Sequence, residues 1–300
     1  MGRLRDAESG EVLRLAPRTL IGRSRDCGLQ LAGSTVSAEH ATLWFDAARG
    51  WCIRDLASTN GTFVDGVRID GTEVLTPGSA IVVGSEAARF VLEDDHAPVA
   101  FAVSPSGREV EALGDLLALP DADRPALMVH ATRLGDWIAT DGDGARPIDD
   151  GAVVDVAGES WQLHLPRALP ATERAGGPRS LHDVSLRFVV SRDEEFVEVS
   201  VVDEVAVTVL ESRAFHYMLL ELARARLEDP QTSEAARGWT SATALAKGLR
   251  IELGLLNLHV WRARKQMASL GLRHAGDVVE RRGRMGLLRI GMANLVVVRA

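Results

Sequence analysis

The chain is poor in several residue types, and each shortage removes a class of protein. Only two cysteines, Cys27 and Cys52, occur in 300 residues. They are too few and too far apart for a disulfide framework or a metal knuckle, and both read as buried free thiols. Lysine occurs twice against 32 arginines. A skew of that size reads as GC-rich coding, so an arginine counts as functional only where its position argues for it. Every apolar stretch is cut by charge or glycine within about 18 residues, which leaves no helix able to span a bilayer. The start, Met1-Gly2-Arg3-Leu4-Arg5-Asp6, lacks a hydrophobic signal core, so a cytoplasmic protein without membrane contact is expected. The eight histidines are scattered. No histidine, cysteine or carboxylate cluster has ligand spacing and no glycine-rich nucleotide loop occurs, so neither an enzyme nor a metal or cofactor is expected.

What is present describes a globular protein long enough for two or three domains, with 46% apolar and 25% charged residues. The net charge of −8 is unevenly spread: −3 over 1–94, −7 over 95–180, −5 over 181–249 and +7 over 250–300. A basic end on an acidic chain points to a local anion-binding surface.

Residues 1–94 alternate in short runs broken by Gly, Asn and Asp, as at Val12–Leu15, Ala41–Asp46, Trp51–Asp55, Ala80–Val83 and Phe90–Leu92. Many short strands with tight turns predict an all-β sandwich. Residues 99–166 partly repeat the first block. Leu75–Gly84 resembles Ile148–Gly158, and Trp51–Asp55 parallels Trp137–Asp141, which suggests a degenerate, truncated second copy; convergence of hairpin sequences would look similar. Residues 167–183 hold prolines and adjacent glycines and read as a flexible linker. Residues 184–300 change character. Strands are predicted at Leu186–Val190, Val197–Val201 and Val205–Val209, then helices at 212–227, 242–249 and 255–270. A hairpin at Val278–Arg281 and Leu287–Ile290 follows. On the third helix Leu256, Val260, Ala263, Met267 and Leu270 form one apolar stripe.

A phosphate held at a loop surface needs a guanidinium fork, hydroxyl donors and backbone N–H groups. The first block offers these in three separated motifs: Gly22-Arg23-Ser24, Ser37-Ala38-Glu39-His40 and Ser58-Thr59-Asn60-Gly61-Thr62. Their order and spacing resemble the signature of forkhead-associated (FHA) domains over about residues 3–93. The resemblance implies a phosphothreonine pocket at one end of the sandwich. In it Arg23 forks onto the phosphate, Ser37 donates its hydroxyl, and Ser24 stands by to add a contact. Thr59 holds the phosphorylated residue and Asn60 bonds the peptide backbone. Gly22, His40 and Gly61 are structural, His40 bracing the loop that presents the serine. Ala38 departs from the pattern, where a polar residue is frequent; the lost contact is expected to cost about 1–2 kcal/mol. The middle block lacks all three motifs, so that FHA-like segment is expected to be a spacer or docking surface.

The last block resembles the winged-helix effector domain of OmpR-type response regulators, on Asn257-Leu258-His259-Val260-Trp261-Arg262-Ala263-Arg264-Lys265 and the wing segment Val279-Glu280-Arg281-Arg282-Gly283-Arg284. Ala263 stands where leucine is usual, and Gln266 where lysine is usual. The resemblance implies an α+β domain that reads double-stranded DNA. Trp261, Arg262 and Lys265 would point outward, Asn257 and Arg264 would flank them, and Arg281, Arg282 and Arg284 would meet phosphates. The whole then reads as a bacterial regulator coupling Ser/Thr kinase signalling to transcription: it binds a phosphothreonine-containing protein and DNA, acting as a homodimer on paired half-sites. The alternative at this stage is a phosphopeptide-binding scaffold whose C-terminal block docks protein rather than DNA.

Overall fold

In the computed structural model, residues 2–46, 48–142, 144–166, 179–228, 232–283 and 286–300 are described. They divide into two compact units, 1–99 and 100–300. The first is built from β1 (Arg3–Asp6), β2 (Val12–Arg14), β3 (Arg18–Gly22), β4 (Leu29–Gln30), β5 (Ala41–Asp46), β6 (Gly50–Asp55), β7 (Thr62–Val64), β8 (Val67–Arg68), β9 (Thr72–Val74), β10 (Ala80–Val83) and β11 (Ser85–Asp94). They form a six-stranded sheet, β2-β1-β11-β10-β7-β8, and a five-stranded sheet, β4-β3-β5-β6-β9. The alternating apolar residues of both sheets meet in one core, where Leu4, Leu43, Trp51, Ile53, Ile81 and Leu92 are 0% exposed. Each such side chain contributes about 1.5–3 kcal/mol by leaving water. Register decides where the loops fall. Ile21 lies opposite Ala41, and Ala41 opposite Asp55, so the chain leaves β3, enters β5 and leaves β6 at the same end of the sandwich.

Residues 100–166 fold into β12 (Phe101–Val103), β13 (Glu109–Glu111), β14 (Leu116–Leu119), β15 (Leu127–Ala131), β16 (Trp137–Thr140), β17 (Ala145–Pro147), β18 (Val153–Val156) and β19 (Glu159–His164). Their sheets run β13-β12-β19-β18 and β14-β15-β16-β17. Removing β4, β7 and β8 from the first unit leaves the orders β2-β1-β11-β10 and β3-β5-β6-β9, which is the same layout strand for strand. A side-chain detail agrees. Trp51 of β6 donates to the carbonyl of His96, two residues past β11, and Trp137 of β16 donates to Pro166, two residues past β19. Of the three strands without a counterpart, β4 lies between the first and second motifs and β7 begins at the end of the third.

The remainder comprises β20 (Ser185–Val190), β21 (Val197–Val202), β22 (Val207–Val209), α1 (His216–Glu228), β23 (Thr240–Ser241), α2 (Ala242–Gly248), α3 (Leu253–Ser269), β24 (Val279–Arg282), β25 (Leu287–Ile290) and β26 (Leu295–Arg299). One sheet runs β22-β21-β20-β26, with β26 parallel to β20, and a second runs β23-β25-β24. Strand β26 was not anticipated, because Val296-Val297-Val298 shows no alternation to read. Helix α1 starts at His216 rather than near Ser212. Ser241 caps α2, its hydroxyl accepting from Ala244 N–H.

Three expectations are corrected. Most of the expected linker, 167–178, lies outside the described residues, but 180–183 is folded. Ser180 caps a 3-10 turn over Leu181–Asp183, and Leu181 is fully buried. Leu270 leaves the apolar stripe of α3 and is exposed. The middle segment is also no free spacer: Leu116, Ala118 and Met128 belong to the same apolar cluster as Leu256, Val260, Ala263 and Met267 of α3.

Candidate phosphopeptide site

The three motifs converge at the loop end of the first sandwich. Gly22 closes β3 where no side chain fits: a Cβ there would stand 2.3 Å from the Ala38 carbonyl oxygen. That close approach lets Arg23 N–H donate to Ser37 O at 2.9 Å and Ser24 N–H to Ala38 O at 3.0 Å, zipping the first motif onto the second. The Arg23 side chain is exposed, and its Nε–H donates to Val36 O at 3.3 Å. The guanidinium is thereby held beside Ser37 with its terminal nitrogens available to an anion.

Ser37 Oγ accepts from Thr59 N–H at 3.2 Å, which leaves its own hydrogen for another acceptor. Thr59 and Asn60 are exposed, and Asn60 Nδ2 donates to Thr35 O at 2.7 Å. The Asn60 amide oxygen is then the free end for a peptide N–H. Ser24 is partly committed elsewhere, donating its hydroxyl to Asp26 at 3.3 Å.

His40 is completely buried and spans two loops. Its Nδ1 accepts from Ser37 N–H at 3.1 Å, and its Nε2 lies 3.0 Å from Gly61 O. A backbone N–H only donates, so Nδ1 is unprotonated and Nε2 carries the hydrogen that Gly61 O accepts. Gly61 itself sits at φ +82°, a conformation glycine adopts without strain.

Asp55, at the end of β6, organises the third loop and was missed at the sequence level. It accepts from Ser58 N–H at 2.8 Å, Ser58 Oγ–H at 2.6 Å and Thr62 Oγ1–H at 2.7 Å. Gly61 N–H in turn donates to Ser58 Oγ. Burial pushes the Asp55 carboxyl up, but the hydrogen bonds from Ser58 and Thr62 outweigh it and hold the group below its usual range. The available signal was an aspartate three residues before a serine, a spacing at which a carboxylate can accept from the backbone of the turn that follows it.

The second candidate set is scattered. Trp261 does not face outward: it is 2% exposed and donates to the carbonyl of Ala122 at 2.8 Å. Arg264 is 1% exposed and donates to Val279 O. The apolar stripe marks one buried face of α3, and Trp261 and Arg264 lie on a second. Arg281 is partly buried, bonded to Asp141 O and Asn257 Oδ1. Arg262 and Arg282 are exposed and Lys265 is partly so. Arg282 stacks over Trp239, with its guanidinium carbon 5.0 Å from the ring centre. Arg284 lies outside the described residues. Gln266, where lysine was expected, is turned inward against His216 Nε2 and the Glu211 carbonyl.

One grouping not expected from the sequence is Asp94, Asp95 and His96, whose ligand atoms lie within 4.8 Å of one another. His96 Nδ1 lies 2.5 Å from Asp94 Oδ1, and acidic groups this exposed commonly occur without an ion. No helix among the described residues is long and apolar enough to cross a membrane.

Comparison with known proteins agrees with the N-terminal geometry. The FHA domain family model matches residues 19–84. No relative is found among curated proteins. Among solved structures, Mycobacterium tuberculosis EmbR in complex with a low-affinity phosphopeptide is 31% identical, over 32% of this chain and 25% of that chain, with TM-score 0.30. A structure from a study of phosphothreonine-dependent FHA domain interactions is 26% identical over 32% of this chain and 98% of its own, with TM-score 0.29. The FhaA FHA domain, complexed with the intracellular domain of another protein, is 27% identical over 31% and 100%, with TM-score 0.28. The chain thus spans only a quarter of the EmbR chain it matches. Residues 19–84, with the three motif loops at one end of their sandwich, form an FHA domain.

Proposed function

We propose that the chain is a phosphothreonine-dependent signalling regulator, capturing a phosphorylated partner protein on its FHA domain. The observation that carries this reading is the convergence of Arg23, Ser37 and Thr59, with Arg23 N–H on Ser37 O and Thr59 N–H on Ser37 Oγ. A doubly charged phosphate placed there meets a guanidinium and two hydroxyls. Asn60 beside them receives the peptide backbone. Nothing in this arrangement is a nucleophile poised beside a base, so the domain's role is recognition.

The C-terminal segment supplies the output in this proposal, as a winged helix that binds double-stranded DNA. Support comes from the element order, four-stranded sheet, three helices and β-hairpin, and from the +7 charge of residues 250–300. Arg262, Lys265 and Arg282 are the cations best placed to meet phosphates.

The test is titration of the whole chain with a degenerate phosphothreonine peptide library, beside its phosphoserine and unphosphorylated counterparts. Binding confined to the phosphothreonine library and abolished by Arg23→Ala is expected. Equal binding of the unphosphorylated library, or Arg23→Ala binding like the parent, would refute the assignment.

A further inference from the structure

We infer that residues 100–166 act as a cap on the C-terminal segment, closing the face that the winged-helix reading assigns to DNA. The inference rests on that reading.

The contacts fall on the residues such a face needs. The indole of Trp261, in the middle of α3, is turned into the middle segment and donates to Ala122 O at 2.8 Å. Arg281 of β24 donates to Asp141 O at 3.1 Å and to Asn257 Oδ1 of α3. One aspartate of the middle segment thus ties the hairpin, and the same arginine ties the hairpin to the helix. Below them, Asp277 accepts from Arg133 N–H and Asp115 accepts from His274 N–H. Strands β14 and β15 contribute Leu116, Ala118 and Met128 to the apolar cluster that holds α3, while Leu117, Leu119, Leu127 and Val129 turn to the middle segment's own core. The middle segment is therefore a self-cored body with one face spent on α3.

The closed seam leaves polar groups unpaired. A permanent interface excludes buried polar groups or satisfies them. Here Arg264 Nε and Nη1, Arg281 Nε, His130 Nδ1 and Asp115 Oδ1 are all buried without a hydrogen-bond partner among the described residues. Opening would return each to water, and the two guanidinium groups could then meet phosphates. The closed state thus retains groups whose best partners lie outside it.

The seam has a natural wedge point. At Gly276 an added Cβ would stand 2.2 Å from His130 Cδ2, 2.4 Å from Cγ and 2.7 Å from Cβ, the three nearest atoms all belonging to this one residue across the seam. Gly276→Ala pries the segments apart, and adding His130→Gly makes room again.

The experiment measures binding of the full chain to a mixed-sequence DNA duplex by fluorescence anisotropy at low and moderate salt. Hydroxyl-radical oxidation of Trp261, read by mass spectrometry, reports opening. The parent is expected to bind weakly with Trp261 protected. Gly276→Ala should bind at least ten-fold more tightly, with affinity falling as salt rises and Trp261 oxidised, and Gly276→Ala/His130→Gly should return to parent behaviour. Ala118→Arg, which drives a charge into the same face, gives a second opening variant should Gly276→Ala fold poorly. Parent and opened variants binding DNA equally tightly would overturn the cap while leaving the DNA reading intact. Opened variants with Trp261 oxidised but no DNA binding would overturn the DNA reading, and the cap with it.

Discussion

Replacing Asp55 by alanine should loosen the motif-bearing loop end of the FHA domain more than any exposed site substitution. The carboxylate accepts three hydrogen bonds, from Ser58 N–H, Ser58 Oγ–H and Thr62 Oγ1–H. Two of the donors are hydroxyls on side chains that are 8% and 0% exposed, so neither finds water easily once the acceptor is gone. A hydrogen bond to a charged group contributes about 1.5–3 kcal/mol. The three share one carboxylate, and alanine also relieves the cost of burying that charge, so the net loss is about 3 kcal/mol. Urea unfolding followed by far-UV circular dichroism and by tryptophan fluorescence, to which the fully buried Trp51 contributes, measures it. The Ser58–Gly61 turn presents Thr59 and Asn60, so phosphopeptide affinity should fall at least ten-fold in the same variant. Because the Asp55 pKa is depressed in the fold, its stabilisation is complete above the usual carboxylate range and disappears as pH drops through the lowered value. Asp55→Ala should erase that part of the acid-side loss. A change below about 0.5 kcal/mol, the scale of an ordinary surface substitution, would refute the reasoning.

Other expectations are as specific. Gly22→Ala forces a Cβ to within 2.3 Å of Ala38 O; phosphopeptide binding should be lost with far-UV circular dichroism unchanged. Asp115 is pushed up to about 6, chiefly by burial, so its ionisation opposes folding at neutral pH. Urea stability should rise by about 2–3 kcal/mol as pH falls from 7 through 6 toward its ordinary value, and Asp115→Asn should flatten that limb. Arg264, pushed down to about 10 by burial, leaves Nε and Nη1 without partners among the described residues. Arg264→Met keeps the volume and removes the charge, and should raise stability by about 1–3 kcal/mol in the same assay.

The sandwich and the site were legible because both rest on local patterns. Short apolar runs set between Gly, Asn and Asp turns mark β5, β6 and β10, and the three motifs are contiguous tripeptides to pentapeptides, each sitting on one loop. The likeness of residues 99–166 to the first block was suggested by Trp51–Asp55 and Trp137–Asp141, whereas the shared strand order and the indole bonds to the chain past each last strand are seen only in the fold. What stayed hidden depends on contacts between segments far apart in sequence. Helical periodicity located the stripe Leu256, Val260, Ala263 and Met267, but it gave no sign that Trp261 and Arg264 face a second body, since Ala122 is 139 positions away from Trp261. Strand β26 was hidden for a related reason: a short run of valines pairs in parallel only because β20 supplies an open edge.

The buried imidazole of His40 has a consequence beyond bracing. One ring joins the amide of Ser37 to the carbonyl of Gly61, so two stretches of chain separated by a whole β-hairpin share a single rigid strut. Displacing the serine therefore displaces the turn that carries Asn60 as well, and under the proposed function phosphate and peptide backbone would be gripped in one motion instead of two. The strut works with only one placement of the ring hydrogen. A side chain of similar size with no acceptor at one end and donor at the other, such as phenylalanine, would fill the space and still let the two halves of the grip drift apart.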